Sequence, residues 1–243
     1  MYSCAILWKR SVVLYKKIES TIICAMSELR KKKFARTRLA LATALSGALS
    51  DQSLNDISVK SLCHEAEVSE ATFFNYFPSK QELMAYLAQL WLLELGWQVQ
   101  SSAQAPQGLP AIQNLFAQVA RVCIKRPGLM RELIAWIARG GSLDDAMELG
   151  TLERKLAFPD LEGIDTVTIK GIDALIVPHL EFAIRKGELP DNILVPTLLS
   201  LLLATLFGVP LTLLSTHPGK IADLYRQQLQ LVWSGARAAA CGR

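Results

Sequence analysis

The sequence predicts an all-α fold in which a small three-helix head precedes a larger helical domain. Apolar residues recur at helical spacing along most of the 243 residues, and no two alternating segments pair into a sheet. Hydrophobic residues make up 51% of the chain and charged residues 20%, which is enough for a substantial core. Breaks rich in Gly, Pro and polar residues separate the helical segments.

The head is predicted over residues 26–80, with its first helix over Phe34–Leu49. One face of that helix is apolar, as expected for packing on a core, through Ala35, Leu39, Ala42, Leu45 and Leu49. The polar segment Ser50–Asp56 then predicts a loop.

Two short helices complete the head. Ser58 is placed to cap a helix over Val59–Ala66, because its side-chain oxygen can accept a free N–H of the first turn. A turn at Glu67 leads to Ser69, which caps a third helix ending at Tyr76. About eight residues, a tight turn and a short second helix are the dimensions of a helix-turn-helix, a DNA-binding motif.

The larger domain is predicted over residues 81–243. Pro78 breaks the chain, and Ser79 with Glu82 has the spacing of a capping box that opens a long helix reaching about Val99. Further helices are predicted at about 110–125, 128–139, 143–157, 165–187, 191–214 and 219–237.

Residues 1–25 are predicted to be an upstream extension or a misassigned start. The basic pairs Lys9-Arg10 and Lys16-Lys17 interrupt their apolar pieces, so the segment resembles neither a signal peptide nor a membrane anchor. Met26, which precedes a basic run, looks more like a natural start.

The cysteines and histidines give no sign of a metal or catalytic centre. The five cysteines are scattered without a Cys-x-x-Cys pair, which argues against zinc and disulfides and is typical of a reducing, cytoplasmic setting. The chain has three histidines and lacks a Gly-rich phosphate loop and a His-x-x-x-His pair. We therefore expect no metal and no cofactor, and an all-helical enzyme is the less favoured alternative.

Positive charge is concentrated at the start of the head. The net charge of +4 is too small to indicate a nucleic-acid partner by itself. However, Lys31, Lys32 and Lys33 belong to a basic run between Met26 and Arg38 that contains one acidic residue. Such a run is often a solvated tail. Directly before a helix-turn-helix, it favours an arm that seeks phosphates or the minor groove.

The third helix carries side chains suited to a major groove. Asn75 can make a paired contact with adenine, and Ala71 can contact a thymine methyl group. Glu70 either accepts from a cytosine amino group or complements the helix dipole. The candidate base-reading residues are small or hydrogen-bonding: Ser69, Glu70, Ala71, Asn75 and Tyr76.

Other residues of the motif are candidates for phosphate contacts. Thr72 is a hydroxyl donor, and Lys80 lies in the first turn of the next helix, where free backbone N–H groups favour a phosphate. Ser58 and Ser69 also have the commoner explanation that they are helix caps only.

Residues 57–62 and 66–83 resemble the TetR family of transcriptional regulators, most specifically in Thr-Phe-Phe-Asn-Tyr-Phe-Pro-Ser-Lys at 72–80. The resemblance covers about Phe34 to Leu90. It implies an all-helical homodimer that presents two heads to a palindromic operator in double-stranded DNA. It also implies a C-terminal domain that binds a small-molecule effector, and hence a repressor that the effector releases.

The resemblance also implies roles for individual residues. Thr72, Phe74 and Lys80 would hold phosphates, while the exposed face of Ser69–Tyr76 would read bases. Two departures affect this assignment. Phe74 stands where the family often has tyrosine, which removes a hydroxyl. Glu67 stands where glycine is usual, so a residue with a side chain would have to adopt a conformation that favours glycine.

The matching segment at 57–62 adds Ser58 and Lys60 of the second helix to the predicted DNA-binding set.

The larger domain contains a long stretch without charged residues, Asn192–Gly219. By the resemblance, helices at 191–214 and 219–237 would form a four-helix homodimer interface, which would be apolar like a divided core. Residues 193–214 are also long enough to span a membrane, but Pro196, Gly208 and Pro210 interrupt them. A membrane-anchored regulator is therefore an alternative to the soluble dimer.

The effector is predicted to bind within residues 100–190. Aromatic and adaptable side chains suit a small-molecule pocket, although each is also a common core residue. The candidates are Phe116, Met130, Trp136, His179 and Phe182.

Overall fold

The computed structural model describes residues 27–100, 106–143, 149–168 and 170–241, so the predicted extension at 1–25 lies outside the described residues. The described residues form α-helices and two short 3-10 helices, without a strand, which confirms the all-α prediction. The helices are α1 (27–48), α2 (Val59–Glu65), α3 (Glu70–Tyr76), α4 (Lys80–Gln100), α5 (Leu109–Lys125), α6 (Pro127–Ala138), α7 (Thr151–Ala157), α8 (Val177–Arg185), α9 (Val195–Leu213) and α10 (Ile221–Cys241).

Helix α1 is longer than its apolar face predicts. It is described from residue 27, seven positions before the predicted start at Phe34. The lysines at 31–33 are therefore exposed residues of a helix, which corrects the predicted start of the first helix. Lysine and arginine are good helix formers, and Lys31 pairs with Glu28 at 2.9 Å across one turn.

The core of the head continues into α4. Phe73 and Phe77 are fully buried with ring centroids 6.1 Å apart, and the ring of Tyr86 on α4 lies 5.4 Å from that of Phe77. A helix that is apolar on all sides requires cover on all sides. Helix α4 meets this condition, since its buried residues include Leu83, Met84, Leu87, Ala88, Leu90, Trp91, Leu92, Leu93 and Leu95. It therefore joins the head to the larger domain.

The segment predicted as one helix over 165–187 forms an α-helix only over Val177–Arg185. A 3-10 helix at Asp173–Leu175 precedes α8. Gly171 has a φ of +80°, which a regular right-handed helix does not contain. The side chain of Arg154 donates to the carbonyl of Val167 at 2.6 Å. A side chain of α7 therefore holds this loop, in place of the backbone hydrogen bonds of a helix.

Other predicted boundaries agree within a few residues. The exception is the helix predicted at 143–157: α7 starts at Thr151, and 144–148 lie outside the described residues.

A proline inside α9 is compensated by a side chain of α10. Pro210 has no backbone N–H, so the carbonyl of Leu206 one turn earlier lacks its helical donor. The hydroxyl of Tyr225 donates to that carbonyl at 2.5 Å. Burial raises the pKa of Tyr225, so the hydroxyl keeps its proton and continues to donate. Its ring packs edge-on against Phe116, with centroids 4.9 Å apart.

Tyr225→Phe is expected to lower the free energy of unfolding by about 1–2 kcal/mol, because the buried Leu206 carbonyl loses its donor. In a Pro210→Ala background the alanine N–H can satisfy that carbonyl, so the same substitution should have a smaller effect. Urea denaturation of the four proteins in this double-mutant cycle measures the difference. Equal losses in both backgrounds would contradict the compensation.

Candidate DNA-binding interface

Serine caps fix the start of both helices of the motif. Ser58 Oγ accepts the N–H of Ser61 at 2.9 Å at the start of α2. Ser69 Oγ accepts the N–H of Thr72 at 3.1 Å at the start of α3, and the two hydroxyls lie 2.8 Å apart. The cap interpretation of both serines is confirmed. Either hydroxyl can be the donor in this contact, so when Ser69 donates, the Thr72 hydroxyl keeps its own proton for a phosphate.

Helix α3 buries one face and exposes the other. Glu70, Ala71, Phe74 and Asn75 are exposed, at i, i+1, i+4 and i+5, which share one side of a helix. Phe73 is 0% exposed and anchors the opposite side in the head. The exposed side combines an amide, a carboxylate, a methyl group and an aromatic ring. These groups can match the donors, acceptors and methyl groups at base edges in a major groove.

The two aromatic residues predicted to contact DNA differ in exposure. Phe74 is 53% exposed, and its ring rests edge-on against Phe73 with centroids 5.2 Å apart. Having no hydroxyl, Phe74 can offer DNA apolar contacts only. Tyr76 is half-buried, and its ring lies 4.9 Å from that of Phe34 on α1. Tyr76 therefore belongs partly to the packing of the head and contributes less to the exposed face than predicted.

The turn between α2 and α3 adopts a left-handed conformation at a residue other than glycine. Glu67 has a φ of +54°. Its N–H donates to the carbonyl of His64 at 3.2 Å, and the N–H of Val68 donates to that of Cys63 at 2.9 Å. These two bonds form a Schellman motif, which ends α2. The strain expected at Glu67 is confirmed, and its typical magnitude is roughly 1–2 kcal/mol.

Lys80 occupies a position different from the predicted phosphate contact. Its ammonium group donates to three backbone carbonyls of the loop between α1 and α2: Leu54 at 2.8 Å, Asn55 at 3.0 Å and Ile57 at 2.6 Å. An ammonium group has three N–H donors, so these bonds use all of them. The geometry therefore favours a structural role for the Lys80 side chain. The backbone N–H groups at the start of α4 still suit a phosphate.

Lys80→Met is expected to lower the free energy of unfolding by about 1.5–3 kcal/mol, because charge-assisted hydrogen bonds to the loop are lost. The matched control is Lys60→Met, since Lys60 is exposed on α2. The control should keep its stability and bind all DNA sequences more weakly, with a salt slope reduced by about 1. Urea denaturation and DNA titration measure the two effects. A stable Lys80→Met protein that only loses DNA affinity would contradict the structural role.

The head carries further exposed cations. Lys60 lies on α2, and Lys31, Lys32 and Lys33 lie on the first turns of α1. Lys31 pairs with Glu28, with both side chains more than half exposed. Exposed ion pairs are weak, so this pairing does not prevent a phosphate contact. Phosphate contacts by these four lysines remain a prediction.

Sequence analysis missed the role of Arg38. Its place in the basic run predicts an exposed cation, but the structure buries it to 4% exposure against Glu153 of α7. Its spacing contained a signal, since it lies three residues after Ala35 and four before Ala42 on the buried face. Its partner lies 115 residues away, and no sequence pattern links the two.

None of the five candidate effector residues lines the cleft between α9 and α10 or the cleft between α1 and α7. Phe116 and Met130 are at most 1% exposed, and Phe116 packs on Tyr225. Trp136 is 9% exposed, whereas His179 and Phe182 are half-buried. Burial lowers the pKa of His179. The first two are core residues in this structure, and an effector contact by any of the five remains a prediction.

Comparison with known proteins agrees with this arrangement. Residues 44–87 match the family described as "Bacterial regulatory proteins, tetR family". Salmonella enterica GusR has a similar structure, with 20% identity and a TM-score of 0.55 over 82% of this chain and 95% of that chain. A TetR transcriptional regulator from Rhodococcus sp. RHA1 is similar at 17% identity, with a TM-score of 0.51 over 82% of this chain and 97% of that chain. No curated protein sequence matches the chain.

The matched residues include the end of α1, all of α2 and α3, and the first turns of α4, which together form the candidate interface. The two solved structures extend the likeness of fold over most of both chains. The chain therefore carries the N-terminal helix-turn-helix DNA-binding domain of the TetR family of bacterial regulatory proteins, on the all-helical fold of TetR regulators.

Proposed function

We propose that this protein is a transcriptional repressor that binds a palindromic operator as a homodimer and leaves it when a small-molecule effector binds. The exposed face of α3 is the observation that carries the proposal. It places Asn75, Ala71 and Glu70 on one side of a short, capped helix anchored by Phe73. A major groove admits such a helix, and its base edges offer partners for these groups.

The apolar face of α9 and α10 supports the homodimer. Four leucines on or next to these helices are 48–72% exposed: Leu194, Leu201, Leu211 and Leu231. An apolar cleft of about 510 Å³ lies between the start of α9 and the end of α10 and includes Leu194, Leu201 and Leu231. Large exposed apolar patches mark interaction surfaces, and obligate homodimer interfaces are apolar. A second copy of the chain would cover this face and form a four-helix interface.

Effector control then follows from the spacing of the two heads. Consecutive major grooves on one side of B-DNA are roughly 34–36 Å apart, so both recognition helices bind only when the dimer holds that separation. An effector that prefers another separation shifts the population away from DNA. The effector itself would bind in the larger domain.

Selection of bound sequences from a random DNA pool tests the function. We expect a palindromic site whose binding weakens as salt increases. Asn75→Ala should then lose roughly 5- to 150-fold of the preference for that site over random DNA, because a paired base contact is removed. The control Lys60→Met should weaken binding to the selected site and to random DNA by the same factor. Failure of the unaltered protein to prefer any sequence over random DNA would contradict the proposed function.

A membrane-anchored regulator is the second candidate. Helix α9 is long and apolar enough to span a membrane, and 33% of an apolar 18-residue stretch of it is buried within the chain. The proposed dimer interface explains the same exposed surface without lipid, and we accordingly propose a cytoplasmic protein. Fractionation of cells without detergent separates the two candidates. A dimer in the soluble fraction would exclude the anchor, whereas recovery only from membranes would favour it.

A further inference from the structure

A buried ion pair joins the head to the larger domain. Nη1 of Arg38 on α1 lies 3.2 Å from Oε1 and 3.3 Å from Oε2 of Glu153 on α7. The two side chains are 4% and 6% exposed, whereas in the pair between Lys155 of α7 and Asp165 of the following loop they are 59% and 21% exposed. Water and salt therefore screen the Arg38–Glu153 attraction much less than they screen a surface pair.

Glu153 also binds two other parts of the fold. The hydroxyl of Tyr86 on α4 donates to its Oε1 at 2.6 Å, and the N–H of Gly150 at the start of α7 donates to its Oε2 at 3.3 Å. The guanidinium of Arg38 lies 4.2 Å from the centroid of the Tyr86 ring. Burial raises the pKa of Tyr86, so its hydroxyl remains a donor. We call Arg38, Glu153 and Tyr86 the head joint.

The head joint is not easily stretched. A small separation of α1 and α7 would leave a carboxylate and a guanidinium in a dry environment without their partners, which is strongly unfavourable. The contact therefore has two states. Either the ion pair is formed, or it is broken and water solvates both charges. Such two-state contacts convert small shifts into discrete changes of domain position.

A cleft lies beside the head joint. It has a volume of about 700 Å³, and it is lined by Phe34, Ala35 and Arg38 of α1 and by Thr151, Leu152 and Glu153 of α7. Along this side, α1 and α7 thus face each other across open space. The head joint, rather than continuous apolar packing, fixes their separation there.

We infer that the head joint transmits rearrangement of the larger domain to the DNA-binding head. A shift of α7 away from α1 breaks the Arg38–Glu153 contact, and the head is then no longer held in the orientation that binds the operator. This inference rests on the proposed function and adds the route of regulation. It makes Glu153 a positioning residue for the DNA-binding surface. Helix α7, which carries Glu153, begins more than seventy residues after the end of α3.

Linkage makes the inference testable with DNA alone. If α7 influences operator binding, operator binding must stabilise the arrangement of α7 to the same extent. Hydrogen exchange of the amides in α7 is therefore measured with and without the selected operator. In the unaltered protein, operator DNA is expected to slow exchange in α7 by roughly 5- to 150-fold, the usual range of coupling between sites. Exchange in α3 reports DNA binding itself.

Two variants and one control separate transmission from simple stability. Arg38→Met/Glu153→Leu/Tyr86→Phe replaces the whole joint with apolar groups, so that no buried charge is left unpaired. Glu153→Gln removes only the charge and keeps an acceptor for Tyr86. The control Lys155→Met/Asp165→Asn removes the more exposed pair between α7 and the loop that follows it. Both joint variants should still show slowing in α3 but less than about twofold slowing in α7, and the control should respond like the unaltered protein.

The outcomes distinguish this inference from the proposed function. Slowing in α3 without slowing in α7 of the unaltered protein would overturn the inference and leave the proposed function intact. A full α7 response in either joint variant would also overturn it, and the second variant decides if the triple variant does not fold. If neither α3 nor α7 responds to any selected DNA, the proposed function fails and this inference fails with it.

Discussion

Leu201→Arg is expected to convert the proposed dimer into a monomer and to weaken binding to the proposed operator by roughly 10²–10⁴-fold. Leu201 is 48% exposed on α9, at the wall of the apolar cleft between α9 and α10. In the proposed dimer it enters the interface, where an arginine would bury an unpaired charge. The symmetry of the dimer introduces that charge twice. A monomer offers one head, so the second half-site no longer adds to affinity.

Analytical ultracentrifugation and DNA titration measure the two effects together. The matched control is Ile124→Arg, because Ile124 is 52% exposed on α5, outside the predicted interface segments. It should remain a dimer and bind the operator as the unaltered protein does. Circular dichroism checks that both variants are folded. A folded Leu201→Arg protein that stays dimeric would contradict the proposed use of this face.

Local rules were sufficient for most of the head. The caps at Ser58 and Ser69, the break after Tyr76 and the exposed face of α3 all depend on residues within one or two turns of each other. The left-handed conformation at Glu67 followed instead from the resemblance to the TetR family, in which glycine is usual at this turn. Sequence reasoning therefore located the candidate interface and most of its exposed residues.

Contacts between distant segments account for what sequence reasoning missed. The ammonium of Lys80 is held by the carbonyls of a loop more than twenty residues earlier, and no rule about the first turn of a helix predicts that. The partner of Arg38 is 115 residues away. The irregular segment before α8 contains apolar residues at helical spacing, yet Gly171 and the bond from Arg154 to Val167 give it another conformation.

Gly128→Ala is expected to lower the free energy of unfolding by about 3 kcal/mol, at the upper end of the usual effect of overpacking. Gly128 lies in the first turn of α6 and approaches the backbone just after α1. A Cβ atom there would overlap the carbonyl of Leu49 and lie 3.1 Å from the Cα of Ser50. A backbone carbonyl cannot turn aside as a flexible side chain can, so α6 and the head must separate.

The matched control for this substitution is Gly47→Ala. Gly47 is exposed in α1, and a Cβ atom there would meet nothing within 4 Å. Alanine is the better helix former, so the control should gain roughly 0.5–1 kcal/mol of stability. Urea denaturation therefore should give opposite signs for the same chemical change. Equal tolerance of alanine at both positions would contradict the close approach of α6 to the head.

Operator affinity adds a second measurement to the Gly128→Ala experiment. Since α6 belongs to the larger domain and Leu49 to the head, the substitution changes their relative position even in molecules that remain folded. Affinity should fall roughly tenfold in the folded fraction, as for mutations that alter coupling between domains without touching a ligand. Loss of stability with unchanged affinity would show that the head finds its binding orientation independently of α6. If both stability and operator affinity fall, α6 is, like α7 in our inference, one of the elements that set the orientation of the head.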